Sequence, residues 1–128
     1  MPSSNTKSKK RVLVVDDEAA ILRIAGTSLR LMGYDVITTG YGTEALKLSE
    51  TEKPDIMLLD VFMPGMDGLE VLRKLRQKST MPVIVFSAHS SAREEALKLG
   101  ADDFVAKPFT PEQMEKRISA VFERKGTG

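Results

Sequence analysis

The chain has 128 residues, carries 19 Lys+Arg against 18 Asp+Glu, and contains no cysteine. Its length suits a single domain, its near-zero net charge gives no overall attraction to nucleic acid or a membrane, and the lack of cysteine excludes disulfide and thiolate chemistry. No apolar run approaches the roughly 20 residues that a membrane helix needs, and the start lacks the apolar segment of a signal peptide, so we expect a soluble, cytoplasmic protein without membrane contacts.

The two ends of the chain are predicted to be unstructured. Residues 1–10 are rich in Ser, Thr, Asn and Lys and show no hydrophobic period, which predicts a disordered basic tail. Residues 125–128 are predicted to be a frayed C-terminus. We therefore expect the folded domain over residues 11–124.

The folded part opens with Val12–Val15, a continuous apolar run typical of a strand buried on both faces of a parallel sheet. A helix is predicted next, over Glu18–Met32, ending at Gly33. Its core-facing stripe is predicted to be Ile21, Leu22, Ala25, Leu29 and Met32. A second stripe without an evident core partner consists of Ala20, Ile24 and Leu31. This stripe is either a docking surface for a partner helix or ordinary exposed apolar surface.

Four more strand–helix pairs follow along the chain. The predicted strands are Asp35–Thr39, Ile56–Asp60, Pro82–Phe86 and Asp103–Ala106. The predicted helices are 42–50, 68–77, 91–99 and 111–124. Alternation with short connections favours right-handed crossovers and a parallel sheet covered on both faces. We therefore expect an α/β fold with a flavodoxin-like, doubly wound, five-stranded parallel sheet in the order 2-1-3-4-5 and five helices; other five-stranded doubly wound sheets stay alternatives.

Polar side chains follow the carboxyl ends of four of these strands. They are Asp16 and Asp17, Asp60, Ser87, and Lys107. The carboxyl ends share one edge of a parallel sheet, and ligands bind there at the point where the strand order reverses. Because strands 1 and 3 flank that point, Asp17 and Asp60 are expected to face each other.

Carboxylates gathered at this edge need positive charge, because two unit charges 4 Å apart repel by about 4 kcal/mol at an effective dielectric of 20. Mg²⁺ suits a site with few carboxylates and many waters, and Lys107 supplies a second positive charge. A cation, a lysine and a hydroxyl around one carboxylate are the groups that stabilise a transferring phosphoryl group. Asp60 is then expected to act as a nucleophile that accepts the phosphoryl group.

Four motifs carry a resemblance to a known family. They are Val-Leu-Val-Val-Asp-Asp-Glu, Leu-Leu-Asp-Val-Phe-Met-Pro-Gly-Met-Asp-Gly, Phe-Ser-Ala, and Gly-Ala-Asp-Asp-Phe-Val-Ala-Lys-Pro-Phe. In this order and at these spacings they resemble the receiver domain of two-component response regulators, over about residues 10–124. Both a single-domain protein, as in chemotaxis and sporulation relays, and the N-terminal receiver of a longer regulator fit this resemblance.

The resemblance implies a phosphorylation-activated signalling switch. Asp60 would be the phosphoacceptor and would take the phosphoryl group from a sensor histidine kinase or a histidine phosphotransfer protein. Asp16 and Asp17 would hold Mg²⁺ together with Asp60 and the backbone carbonyl of Phe62. Such a domain is not a conventional enzyme, because it catalyses its own phosphoryl transfer and its own dephosphorylation.

The resemblance also implies roles for residues after strands 4 and 5. Ser87 and Lys107 would each bind a phosphoryl oxygen, and a cis bond to Pro108 would place Lys107. Phe104 matches the family's switch aromatic, which turns inward when Ser87 shifts toward the phosphoryl group. The alternative for Phe104 is ordinary core packing.

Phe62 and His89 match family positions that border the phosphoryl group and tune its hydrolysis; His89 also fits an ordinary exposed loop residue. The output would pass to a downstream protein through the helix 4–strand 5–helix 5 face. The domain would be a monomer or a phosphorylation-dependent dimer. Direct nucleic acid binding by this segment is not expected, because it has no basic aromatic patch.

Other protein classes fit the sequence less well. A flavodoxin needs a Ser/Thr/Gly-rich phosphate loop after strand 1, where this chain is acidic. A haloacid-dehalogenase-type phosphatase needs a second acid two residues after Asp60, where this chain has Phe62. A phosphorylation-independent pseudo-receiver that acts as a protein-interaction module stays an alternative.

Overall fold

The computed structural model describes residues 9–126 of the chain. The tail predicted at residues 1–10 lies outside the described residues except for its last two positions, and the last two residues of the predicted frayed end also lie outside them. The predicted sheet architecture is confirmed. Five parallel strands form one sheet in the order β2-β1-β3-β4-β5.

Strands and helices alternate throughout the described part. The strands are β1 (Arg11–Val15), β2 (Asp35–Thr39), β3 (Ile56–Asp60), β4 (Val83–Ser87) and β5 (Asp103–Ala106). The helices are α1 (Ala19–Leu31), α2 (Gly42–Thr51), α3 (Gly68–Arg76), α4 (Arg93–Lys98, preceded by a 3₁₀ turn at Ser90–Ala92) and α5 (Pro111–Arg124). Each connection between parallel strands therefore contains a helix, as a parallel sheet requires.

The core consists of two apolar layers, one on each face of the sheet. Along β3, Met57 and Leu59 belong to the layer that includes residues of α2, α3 and α4, whereas Ile56 and Leu58 belong to the layer with α1 and α5. This alternation follows from the two-residue period of a strand. Because both faces are covered, the central strands are continuous apolar runs, and their polar residues are confined to the strand ends.

The fourth strand lies one residue later than predicted, at Val83–Ser87 instead of Pro82–Phe86. Proline has no N–H to donate to a neighbouring strand, although the Pro82 carbonyl accepts a hydrogen bond from the Met57 N–H at 3.0 Å. At the other end, the backbone N–H of Lys107 donates to the Ser87 carbonyl at 2.8 Å. Ser87 is therefore part of the sheet and not of the loop after it.

The prediction of the core stripe of α1 is wrong for one residue, Met32. Leu29 is buried, and Ile21, Leu22 and Ala25 pack against the core as partly buried residues. Met32 is 39% exposed, because the helix ends at Leu31 and Met32 forms its C-cap. On the second stripe, Ile24 and Leu31 are 58% and 84% exposed, and Ala20 is also exposed.

A glycine holds the start of α3 against the end of β3. A Cβ atom at Gly68 would lie 2.0 Å from the carbonyl oxygen of Asp60. The Gly68 N–H donates to the Val61 carbonyl at 2.7 Å, and the Asp67 side chain caps the helix by accepting from the Glu70 N–H. The loop that leaves Asp60 is thus anchored by close backbone contact.

Candidate functional site

Three aspartates converge at the carboxyl ends of β1 and β3. One carboxylate oxygen from each of Asp16, Asp17 and Asp60 lies within 4.8 Å of the others. Asp16 and Asp60 are buried, whereas Asp17 is exposed. The parallel register places Val15 beside Leu59, so the residues that follow these two strands meet at one edge of the sheet.

Lys107 reaches this acidic cluster from the end of β5. Its Nζ lies 3.1 Å from Asp16 Oδ2 and 3.3 Å from Asp60 Oδ1. It also lies 3.5 Å from Glu18 Oε1. The peptide bond from Lys107 to the next residue, a proline, is cis. The amine lies over the ring of Phe86, 5.1 Å from its centroid, so an aromatic face and three carboxylates surround it.

Burial and mutual repulsion perturb the charges of this cluster. Burial raises the pKa of the Asp60 carboxyl to about 6, and the charge of Asp16 acts in the same direction, while Lys107 opposes both. Burial also raises the pKa of Asp16. For Lys107, burial lowers the pKa, but the hydrogen bond and charge of Asp16, together with Asp60, outweigh it, so the pKa is raised overall. The one ammonium group of Lys107 therefore does not balance the negative charge of the three carboxylates.

The chemistry of the donor set fits a hard divalent cation. Carboxylate oxygens are the ligands that Mg²⁺ prefers, and Mg²⁺ commonly uses one or two protein carboxylates and keeps several waters. Asp16, Asp17 and Asp60 offer three oxygens close enough together to share one ion. The backbone carbonyl of Phe62 as a further ligand stays a prediction.

Ser87 is the last residue of β4 and is buried. Its neighbour Phe86 is paired with Asp60 across the sheet, which brings Ser87 to the same edge. Its Oγ accepts a hydrogen bond from the His89 N–H at 3.0 Å. This bond uses the Ser87 oxygen as an acceptor, so it leaves the hydroxyl proton free to donate elsewhere.

Phe62 and His89 contact each other above this edge of the sheet. Their ring centroids are 4.6 Å apart at an interplanar angle of 74°, which is an edge-to-face arrangement. Phe62 is 55% exposed and His89 is also exposed. An aromatic pair therefore joins the two loops that follow β3 and β4.

Phe104 lies inside the protein in this structure. It is buried in the core layer that includes Ala92 and Ala96, and it is paired with Val85 across the sheet. This placement satisfies core packing. Under the predicted switch role the ring would also lie inward in the active state, so this position does not distinguish the two and the role of Phe104 stays a prediction.

The sequence did not predict a role for two residues that contact Lys107. Glu18 is the third acid of the run after β1 and contacts the amine from the solvent side. The face of the Phe86 ring contacts the amine. The run of three acids was a visible signal for Glu18, whereas Phe86 has the pattern of an ordinary core strand residue.

The sequence pattern of the response regulator receiver domain family matches residues 12–119, so the chain belongs to this family. Receiver domains are generally non-enzymatic, phospho-accepting signalling domains of two-component systems, and they generally use Mg²⁺ and a histidine kinase partner. Among the described helices, none combines the length and apolar character required to cross a membrane.

Curated relatives include the probable transcriptional regulator ycf27 of Porphyridium aerugineum, 46% identical over 118 residues that make up 91% of this chain and 49% of the relative. Another is the alkaline phosphatase synthesis transcriptional regulatory protein PhoP of Bacillus subtilis (strain 168), 45% identical over 90% of this chain and 49% of that protein. The chain therefore spans about half the length of these relatives.

Solved structures with the same fold match along almost their whole length. The chemotaxis response regulator CheY4 of Vibrio cholerae superposes with a TM-score of 0.84 at 30% identity, covering 89% of this chain and 99% of that one. The receiver domain of the Francisella response regulator 1452 gives a TM-score of 0.85 at 34% identity, covering 91% and 99%.

The raised pKa of Asp60 predicts that Asp60→Asn stabilises the protein at pH 7 without divalent cations. As pH rises from 3.8 to about 6, the unfolded chain loses this proton before the folded one, so the charge disfavours the folded state above that range. We expect the free energy of unfolding to rise by about 1–3 kcal/mol, since one pKa unit corresponds to about 1.4 kcal/mol, the shift already includes the attraction of Lys107, and solvent screening at the sheet edge reduces the effect. Urea denaturation measures this.

The same comparison at lower pH is the control. The difference between the wild type and Asp60→Asn is expected to shrink as the pH falls from 7 toward 4, because the wild-type carboxyl becomes protonated. A variant less stable than the wild type at pH 7 would contradict the conclusion that the charge of Asp60 destabilises the folded state.

The carboxylate geometry also predicts that Asp17→Ala weakens Mg²⁺ binding about tenfold or more, because the site loses one of its three anionic oxygens. Isothermal titration calorimetry with MgCl₂ measures the affinity. Glu94→Gln, which neutralises an exposed acid in the first turn of α4, is the matched control and should leave the affinity unchanged. Equal affinities for Asp17→Ala and the control would count against the site.

Proposed function

We propose that this chain is a phosphorylation-activated signalling switch in which Asp60 accepts the phosphoryl group from a sensor histidine kinase or a histidine phosphotransfer protein. The observation that carries the proposal is the position of Lys107, whose amine contacts Asp60 and Asp16 together beside Asp17. A nucleophilic carboxylate, a fixed cation and a group of metal-ligating oxygens are the components that phosphoryl transfer needs.

The transfer forms one bond and breaks one bond. An oxygen of the Asp60 carboxylate attacks phosphorus, the bond from phosphorus to the imidazole nitrogen of the donor histidine breaks, and the imidazole leaves with the electron pair and takes up a proton. Lys107 stabilises the negative charge on the transferring oxygens, and the Ser87 hydroxyl donates to another of them. Asp16, Asp17 and Asp60 would hold Mg²⁺, which when bound neutralises charge on the phosphoryl oxygens.

The switch resets when water hydrolyses the acyl phosphate. We assign control of this step to the Phe62–His89 ring pair, because it lies on the two loops that border Asp60 and Ser87. An apolar ring beside the acyl phosphate excludes water from it. The lifetime of the phosphorylated state is then set by these two loops, while the buried aspartates and Lys107 perform the transfer.

The donor protein is proposed to dock on the exposed stripe of α1, of which Ala20, Ile24 and Leu31 are members. A cavity of about 240 Å³ supports this assignment for Ile24, which lines it together with Ile21 and residues of the loop after β5. Lys107 and the proline after it form part of the same wall. An apolar side chain from a donor helix that entered this cavity would lie next to the catalytic lysine.

The phosphorylated state is proposed to act in the cytoplasm on a downstream protein through the α4–β5–α5 face, as a monomer or a phosphorylation-dependent dimer. Phe104 lies on β5 beneath this face. The names of the curated relatives as transcriptional regulators support an output in gene regulation, carried by a partner or by a further part of a longer protein. This segment itself is not proposed to bind nucleic acid.

Asp60→Asn is expected to abolish phosphorylation by acetyl phosphate and Mg²⁺, because the amide oxygen is a poor nucleophile. Intact-protein mass spectrometry should show one added phosphoryl group on the wild type, removed by hydroxylamine, and none on the variant. Asp67→Asn is the control, since asparagine also serves as an N-cap for α3. Label that persists on Asp60→Asn would place the acceptor elsewhere, and a wild type that takes no label would indicate a pseudo-receiver.

Phe62→Ala and His89→Ala are each expected to shorten the half-life of the phosphorylated protein several-fold, because either change breaks the ring pair and admits water to the acyl phosphate. The measurement is the decay of phosphorylated protein after removal of the donor. Tyr41→Ala removes another exposed aromatic ring, after β2, and should leave the half-life unchanged. Half-lives equal to the wild type in both variants would remove this role from the pair.

A further inference from the structure

Lys107 has one carboxylate partner that phosphoryl transfer does not require. Asp60 is the acceptor and Asp16 belongs to the acidic cluster, but Glu18 is neither. Its Oε1 lies 3.5 Å from Lys107 Nζ, and its side chain is 62% exposed. The amine is therefore held on its buried side by two aspartates and on its solvent side by an exposed glutamate.

The backbone keeps Glu18 next to the site. Glu18 is the N-cap of α1, but its side chain makes no capping hydrogen bond. Its backbone N–H donates instead to Asp16 Oδ1 at 2.9 Å, which ties the start of the helix to the acidic cluster. The side chain is thus available to contact Lys107, which lies 89 residues away in sequence.

We propose that Glu18 is a positioning residue that restrains the Lys107 amine in the unphosphorylated protein and thereby slows phosphorylation by small, freely diffusing phosphodonors. This rests on the proposed function of Asp60. When acetyl phosphate reacts, an Asp60 oxygen bonds to phosphorus, the bond from phosphorus to the acetyl oxygen breaks, and acetate leaves as an anion. Lys107 must then move from the carboxylates to a phosphoryl oxygen, and the contact with Glu18 opposes that movement.

Two variants separate a contact with Lys107 from a simple effect of charge. Glu18→Gln keeps the length of the side chain and removes its charge. Glu18→Asp keeps the charge, but the side chain is one methylene shorter and loses the contact with the amine, and aspartate at an N-cap favours a hydrogen bond to the backbone of its own helix. Glu94→Gln, an exposed acid in the first turn of α4, is the control for net charge.

The experiment measures the apparent second-order rate constant of Asp60 phosphorylation by acetyl phosphate at saturating Mg²⁺, in low and high salt, with the thermal midpoint of each variant recorded. We expect both Glu18 variants to react about two- to fivefold faster than the wild type in low salt, the range that an exposed ion pair supports. The gain of Glu18→Gln should shrink in high salt. Thermal midpoints should not follow the order of the rate constants.

The outcomes distinguish this inference from the proposed function. A wild type that takes no label contradicts both. A labelled wild type with unchanged rates in both Glu18 variants overturns the role of Glu18 alone. A gain in Glu18→Gln without a gain in Glu18→Asp, or an equal gain in Glu94→Gln, also overturns it, because charge near the site would then explain the rate without the contact to Lys107.

Discussion

The ion pairing between Lys107 and the buried aspartates is the interaction on which the candidate site depends. Two carboxylates that are almost fully removed from water carry a large desolvation cost, and here they lie close enough to repel each other as well. The lysine amine reduces this cost without removing it, as the raised pKa of Asp60 indicates. The site is thus held in a state that gains from added positive charge, and its three carboxylates lie close enough together that they could hold one metal ion.

The fold makes this arrangement possible through strand order. The strands β1 and β3 lie side by side in the sheet, although 40 residues of chain, β2 included, lie between the end of β1 and the start of β3. Their helices leave on opposite faces, so the crevice between their carboxyl ends is open to solvent. Strand β5 is two positions away from β3, and the length of the lysine side chain spans that gap. Apolar packing on both faces fixes the strands, and with them the positions of the charged groups.

Around this rigid centre, the side chains that are proposed to set the rates lie on the surface. Glu18, Phe62 and His89 are all exposed, and each comes from a loop or a helix start. Such residues change with little effect on the core, because they contribute little buried apolar area. The division between a buried reaction centre and exposed tuning residues explains how one fold can keep its chemistry while the lifetime and donor preference of the phosphorylated state vary.

The sequence by itself predicted the sheet order and the helices within a few residues, and it placed Asp16, Asp60 and Lys107 at one edge of the sheet. It could do so because continuous apolar runs, helical periodicity and polar residues at strand ends are local patterns, and a parallel sheet allows only a few ways to combine them. It did not reveal that Glu18 contacts Lys107, that the rings of Phe62 and His89 meet, or that Met32 is exposed. Those features depend on side-chain conformations and on contacts between segments far apart in the chain, and on where a helix stops. Only the packed tertiary structure decides them, since each depends on which residues from distant segments end up next to one another.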